Sequence, residues 1–440
     1  MSRILVAVSP FPGHANPILL VAEHLSRQGH QVVFNCSEAF REKVKAAGLN
    51  FAPLLRSANY DYRLLDEVFP ERLAVPEGLS RVDYDVQHIF GGVIPDQYEG
   101  LLELIEEYEI DLVLIDLAFY GALPLMLGDK PRPPVVTCGV LPYFLKRPGV
   151  SPFTGPNTTP EGMLQNAKDD LIFEGALSGS TTSINQILGR YGISPVEDLP
   201  LHAVVKKSDI YLQFTAEEFE YPIPDKAGNL QFIGPLVPKI IDQTEAPKWL
   251  KSIDGSRPVL FVTQGTLANE DFGQLVGPTI EAFAGEDVEV IVTGGGGDVS
   301  GLKRSPNVHI ERYLPYHLVL PKTDVFITNG GYNGVQQALS FGVPVVAGGA
   351  TEDKPFVCAR VAWSGTGIDL KTANPTPQQV KDAVKQILEK PQYRERAREM
   401  EKVFAQHNAL ETVVKVIEAT IADSAWRKSE RSEENETVLD

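Results

Sequence analysis

Cysteine is scarce in this chain: Cys36, Cys138 and Cys358 are the 3 among 440 residues. Three thiols spread so widely give neither a disulfide framework nor the paired spacing of a zinc site, and they suit a reducing compartment. Basic residues are outnumbered, 40 Lys and Arg against 58 Asp and Glu, for a formal charge of −18. A general nucleic-acid binder needs a basic face, so no nucleic-acid partner is expected. Any anion site must instead be built locally, from backbone N–H groups and a few polar side chains. No apolar run reaches the ~18 residues a membrane helix requires. The apolar start is short and meets Pro10 and Pro12, so it reads as a first strand and not as a secretion signal. A cytoplasmic protein without an integral membrane segment is the expectation. Also missing are an HExxH, a CxxC and a serine nucleophile elbow. The first turn, at 9–14, lacks the G-x-G-x-x-G of a dinucleotide-binding dehydrogenase. One formal Asp-x-Asp, Asp83-Tyr84-Asp85, falls in an irregular stretch away from any strand end and reads as chance, so no metal is expected.

What the chain does have is rhythm. Apolar runs at 4–8, 31–35, 50–53, 112–116 and 134–138 alternate with helical stretches. A second series runs through 259–263, 288–293, 308–310, 325–328 and 343–346. Strands alternating with helices imply parallel βαβ units. The fold class is therefore α/β, with two Rossmann-like domains facing across a cleft. The boundaries fall at 1–235 for the first domain, 236–256 for a proline-bearing linker and 257–422 for the second. The last helix is expected to pack back on the first domain, and 423–440 reads as a disordered acidic tail. Residues 56–100 break the rhythm and read as an insert, open to helix, flanking the cleft. Residues 146–182, rich in Pro, Gly, Ser and Thr, read as a long loop, mobile or lid-like.

The stretch 328–359 organises the rest. A short strand ends at Asn329-Gly330-Gly331, and a helix then opens through Asn333 and Gly334. A helix opening after a glycine turn presents free N–H groups and the positive dipole end, an anion site suited to phosphate. A second strand follows, then the acidic loop Glu352-Asp353-Lys354. Two further residues sit where strands end. His14 lies in Pro12-Gly13-His14-Ala15 at the mouth of the first helix, and Asp116 closes the run at 112–116. A neutral imidazole suits proton transfer near pH 7, and a carboxylate beside it would fix its tautomer. On residues alone, His14 serves equally as a helix cap or loop residue, and Asp116 as a helix cap.

The stretch 328–359 resembles the nucleotide-sugar signature of family 1 glycosyltransferases of the GT-B fold. That pattern runs Thr-His-x-Gly-x-x-Ser, a helix, Gly-Val-Pro-x-Val, then Asp-Gln. Here Asn329 stands for the His, Gly334 for the Ser and Lys354 for the Gln, while Gln337 replaces a Glu that holds ribose in plant members. The resemblance implies that His14, in the family's Gly-His-x-x-Pro element with Gly13, is the base and Asp116 its orienting acid. It implies that Thr266 meets the diphosphate, that Tyr313 stacks on the nucleobase, and that Asn329, Gly330, Gly331, Asn333 and Gly334 surround the phosphates. Gln337 would face the ribose and Asp353 the sugar hydroxyls, with Glu352 on the same donor loop, while Lys354, departing from the family's Gln, would pair with phosphate or with an acid instead. Implied overall is an inverting, metal-independent transferase, needing no cofactor, that moves glucose from a UDP-sugar to a hydroxyl of a small hydrophobic or phenolic acceptor. A monomer or weak dimer is expected. The alternatives are a nucleotide-sugar epimerase or hydrolase on the same scaffold and a non-catalytic accessory protein. Altered contacts at Asn329, Gln337 and Lys354 favour the last; His14 and Asp116 together oppose it.

Overall fold

The computed structural model describes residues 1–237, 246–266 and 271–437. Seven parallel strands build the first sheet: β1 Arg3–Ala7, β2 Gln31–Cys36, β3 Asn50–Pro53, β4 Leu112–Asp116, β5 Val135–Gly139, β6 Ile210–Gln213 and β7 Leu230–Phe232, in the order β3-β2-β1-β4-β5-β6-β7. Six more build the second: β8 Val259–Thr263, β9 Glu289–Thr293, β10 Val308–Glu311, β11 Val325–Thr328, β12 Val345–Ala347 and β13 Gly367–Asp369, in the order β10-β9-β8-β11-β12-β13. Their near-continuous Val, Ile and Leu runs follow from burial on both faces, with helices covering each side. In each sheet the strand order reverses beside the first strand, and a crevice opens there at the carboxyl ends of the strands. Helix α1, Pro12–Arg27, opens on that crevice in the first domain. In the second, α2 (Tyr332–Leu339) and α3 (Lys354–Trp363) follow β11 and β12.

Two stretches differ from the sequence reading. Residues 146–182 are not a long loop: a two-residue hairpin (Val150–Ser151 with Gly155–Pro156) leads into helices Pro160–Ala176 and Ser178–Gly189. Thr159 starts the first of these by accepting the Gly162 N–H, with Pro160 at the first helical position. The insert at 56–100 is helical over most of its second half, as its reading allowed, and includes a π-helical turn at Asp85–Gly91. The tail expected to be disordered from 423 continues as helix α4, Ala409–Thr437. Its Glu, Lys, Arg and Ala content, free of Gly and Pro, favours helix even without a core. The linker at 236–256 lies partly outside the described residues. Its later part forms the short helix Lys248–Ser252, whose Leu250 is buried in the second domain's core with Ile253. The early part of α4 packs on α1, and Val413, Val414 and Ile417 join the first domain's core beside Ile18, Val21 and Leu25. Among the described residues no helix is long and apolar enough to cross a membrane.

Candidate functional site

His14 lies in the first turn of α1, whose entry Pro12 fixes at the first helical position. Asp116 ends β4, fully buried, where β1 and β4 run side by side. The imidazole Nδ1 and Asp116 Oδ1 are 2.8 Å apart. Oδ1 also accepts the Ala118 N–H at 2.8 Å, and Oδ2 accepts the Ser9 N–H. Two backbone amides thus hold the carboxylate before it meets the imidazole. Burial disfavours charge on His14, but Asp116, and with it Asp353 and Glu352, outweighs that and raises its pKa. Asp353 and Glu352 belong to the second domain, so their charge reaches His14 from across the cleft. Asp353, half-buried before α3, is pushed up to about 6 by burial, which Lys354 opposes and Glu352 reinforces.

An aromatic wall flanks the imidazole. Phe11 and Phe90 each stand 6.3 Å from its centroid and 5.4 Å from each other. Tyr60 adjoins Phe11 at 6.2 Å, and Phe69 adjoins Tyr60 at 5.5 Å. Phe90 is placed by the π-helical turn. That turn tolerates no side chain at position 91, where a Cβ would meet the Val86 carbonyl at 2.8 Å and Ile184 Cγ1 at 2.9 Å. These rings were not singled out from sequence. The only signal was scattered aromatics in an insert without period.

In the second domain the glycine turn permits close approach. Gly330 has φ +88°, and a Cβ there would lie 2.6 Å from Cys358 Sγ. At Gly349 a Cβ would fall 2.0 Å from the Asn329 carbonyl oxygen, so the ends of β11 and β12 can close on each other only as glycine. Gly331 precedes α2, and no side chain caps the helix. Its leading amides are positioned to meet an anion. Asn329 Nδ2 donates to the Gln264 carbonyl, which fixes β11 against the turn carrying Gly265 and the exposed Thr266. Gln264 in turn accepts the N–H groups of Leu275 and Val276 at 3.1 and 3.0 Å. Lys354 Nζ bonds Glu352 and, at 3.3 Å, Thr351 Oγ1. Glu352 holds a left-handed backbone, φ 56°. A cavity of about 280 Å³ opens at these strand ends, lined by Gln264, Asn329, Gly349, Lys354 and Lys371, with Glu77 from the first domain's insert. Of the expected donor residues, Asn329 and Lys354 line it. Asn333, Gly334 and Gln337 lie along α2, and Tyr313, 64% exposed, lies on the loop after β10.

Two features suggestive of ligand sites, a glycine run after β9 at 294–297 and the formal Asp-x-Asp, are engaged within the fold. The glycine run 294–297 spends its amides on its surroundings: Gly294 donates to Glu311, Gly296 to Arg312 and Gly297 to Gly294. Asp85 of the formal Asp-x-Asp pairs with Arg72, and Asp83 accepts from Gln87 and Ser180. Among the described residues no group of three or more His, Cys, Asp or Glu could hold a metal ion.

Known proteins resemble this chain in sequence and fold. Residues 278–420 match the family described as erythromycin biosynthesis protein CIII-like, C-terminal domain. The 4'-demethylrebeccamycin synthase of Lentzea aerocolonigenes is 32% identical over 427 residues, covering 96% of this chain and 100% of that protein. UDP-glycosyltransferase 2 of Phaeomoniella chlamydospora is 31% identical, covering 96% of each. Among solved structures, the calicheamicin glycosyltransferase CalG4 superposes with a TM-score of 0.72 at 21% identity, over 97% of this chain and 99% of its own. With two parallel-sheet domains, a strand-end cleft and full-length relatives above 30% identity, the chain belongs to the family 1 GT-B glycosyltransferases.

Proposed function

We propose that this glycosyltransferase is an inverting enzyme that moves glucose from UDP-glucose to a hydroxyl of a small hydrophobic or phenolic acceptor. The observation that carries the reading is the buried His14–Asp116 pair, walled by Phe11 and Phe90 and facing Asp353 across the cleft. With Asp116 at Nδ1, that nitrogen keeps its proton and Nε2 is the accepting one. The acceptor lies against the aromatic wall with its hydroxyl at Nε2. As its oxygen bonds the anomeric carbon, its proton passes to Nε2. The bond from that carbon to the β-phosphate oxygen breaks, and UDP leaves with the electron pair. Amides at the mouth of α2 meet the growing negative charge, so the step needs no bound cation. Asp353 accepts hydrogen bonds from sugar hydroxyls, and Lys354 sits beside it. Uridine as the base is supported by the UDP-glycosyltransferase relative, and a natural-product acceptor by the rebeccamycin and calicheamicin relatives.

The test pairs transfer with binding. A general base contributes ~10²–10⁴-fold, so His14→Ala should lose that much kcat with UDP-glucose and a phenol. Its melting temperature should still rise with UDP as the wild type's does, and more than with TDP, GDP or NAD. A product of inverted anomeric configuration is expected by NMR. Turnover surviving intact in His14→Ala would overturn the base assignment.

A further inference from the structure

The two domains meet through buried polar contacts, and one reaches the first residue of α2. Tyr332 is 4% exposed, and its hydroxyl lies 3.1 Å from Gln213 Nε2 at the end of β6. The same Nε2 donates to the carbonyls of Leu141 at 2.8 Å and Gly139 at 3.2 Å, so Gln213 is anchored in its own domain before it reaches across. Gly139 makes room for this: a Cβ there would lie 2.6 Å from Tyr211 Oη and 2.8 Å from Gln213 Oε1. The Tyr332 ring is packed independently of its hydroxyl, in the second domain's core near Phe219. A second tie holds α3, where Arg360 Nη2 bonds Glu220 Oε1 at 2.6 Å.

We propose that Tyr332 is a positioning residue: its hydroxyl, bonded to Gln213, sets the mouth of α2 against the acceptor domain and so fixes the spacing between the departing diphosphate and His14. The inference rests on the reading of α2 as the diphosphate site. A helix mouth belonging to one domain and a base belonging to the other keep their spacing only as well as the interface holds. A misplacement of about 1 Å costs as much as ~10²-fold in rate. Removing one hydroxyl leaves the ring packing in place, so the loss falls on alignment and not on folding.

Tyr332→Phe decides the matter. Its melting temperature and its Kd for UDP should match wild type and its donor KM should stay within about twofold, while kcat falls about tenfold. Gln213→Leu also strips the donor from the Leu141 and Gly139 carbonyls, so it should lower the melting temperature as well as kcat. Because the Tyr332 hydroxyl acts through Gln213, adding Tyr332→Phe to Gln213→Leu should slow turnover no further. An unchanged kcat in Tyr332→Phe, or a fall in UDP affinity that accounts for the whole loss, overturns the proposal. So do losses that simply multiply in the double variant. If Gln213→Leu does not fold, Tyr332→Phe alone still decides. His14→Ala separates the two levels. If it retains turnover, the site reading itself fails. If it is inactive while Tyr332→Phe turns over like wild type, only the positioning role is lost.

Discussion

His14 sits where opposing effects meet. Burial disfavours the imidazolium, Asp116 favours it, and the pKa ends above the ordinary 6.5. A base must be neutral to accept a proton, so kcat/KM is expected to rise with pH through a value above 6.5 and then level. Asp116→Asn should move that limb to lower pH and lower the plateau. The same shift has a stability consequence of opposite sense. A raised pKa means the folded state holds the proton more tightly. The stabilisation is complete below the unfolded value and is lost as pH rises through the folded one. Urea-unfolding free energy should therefore decline over the window in which activity climbs, less so in Asp116→Asn. Asp353 gives a separate test. As an acceptor from sugar hydroxyls it must be ionised, so KM for UDP-glucose should climb as pH falls below about 6. The Kd for UDP, which lacks the transferred hexose, should not show that climb. Both residues were legible in the chain because each ends or follows an unmistakable apolar run. Their pairing across 102 residues was legible only through resemblance.

Elements were readable in proportion to how completely their burial matched one period. Strands such as β1, β4 and β8 are buried on both faces, so they appear as plain apolar runs. The helix Pro160–Ala176 was not readable. It leaves Leu164, Leu171 and Ile172 exposed while burying Asn166 and Asp169, which inverts the usual pattern. Its Thr159-Pro160 start was the one local signal. The π-helical turn was equally hidden, since no residue type marks an i→i+5 turn. Its result is the position of Phe90 beside the imidazole, and a consequence can be measured there. Burying a phenylalanine side chain is worth about 1.5–3 kcal/mol, so Phe90→Ala should raise KM for an aromatic acceptor by about tenfold or more. The donor KM should not change, because no donor residue lies on that wall.

For the whole molecule, the interface is built by exchange. Ala216 and Phe219, from the first half of the chain, are buried in the second domain's core. Glu220 follows them, fully buried between Arg147 of its own domain and Arg360 of the other. Arg360 also lies 4.2 Å over the Tyr221 ring. Such a cluster adds little over an apolar one when intact, but breaking it is costly. Glu220→Ala would strand two buried guanidinium groups and should cost about 3–5 kcal/mol, seen as a lower urea midpoint and as looser coupling of the two domains in scattering. None of this was visible in the sequence, where Glu220 is one of 58 acids.

The return of α4 to α1 governs how the protein is made. Ile18, Val21 and Leu25 share a core with Val413, Val414 and Ile417. A ribosome therefore completes the first domain with one greasy flank bare and keeps it so until residues 413–417 emerge, a whole second domain later. The amino-terminal half, although synthesised first, reaches its final packing last.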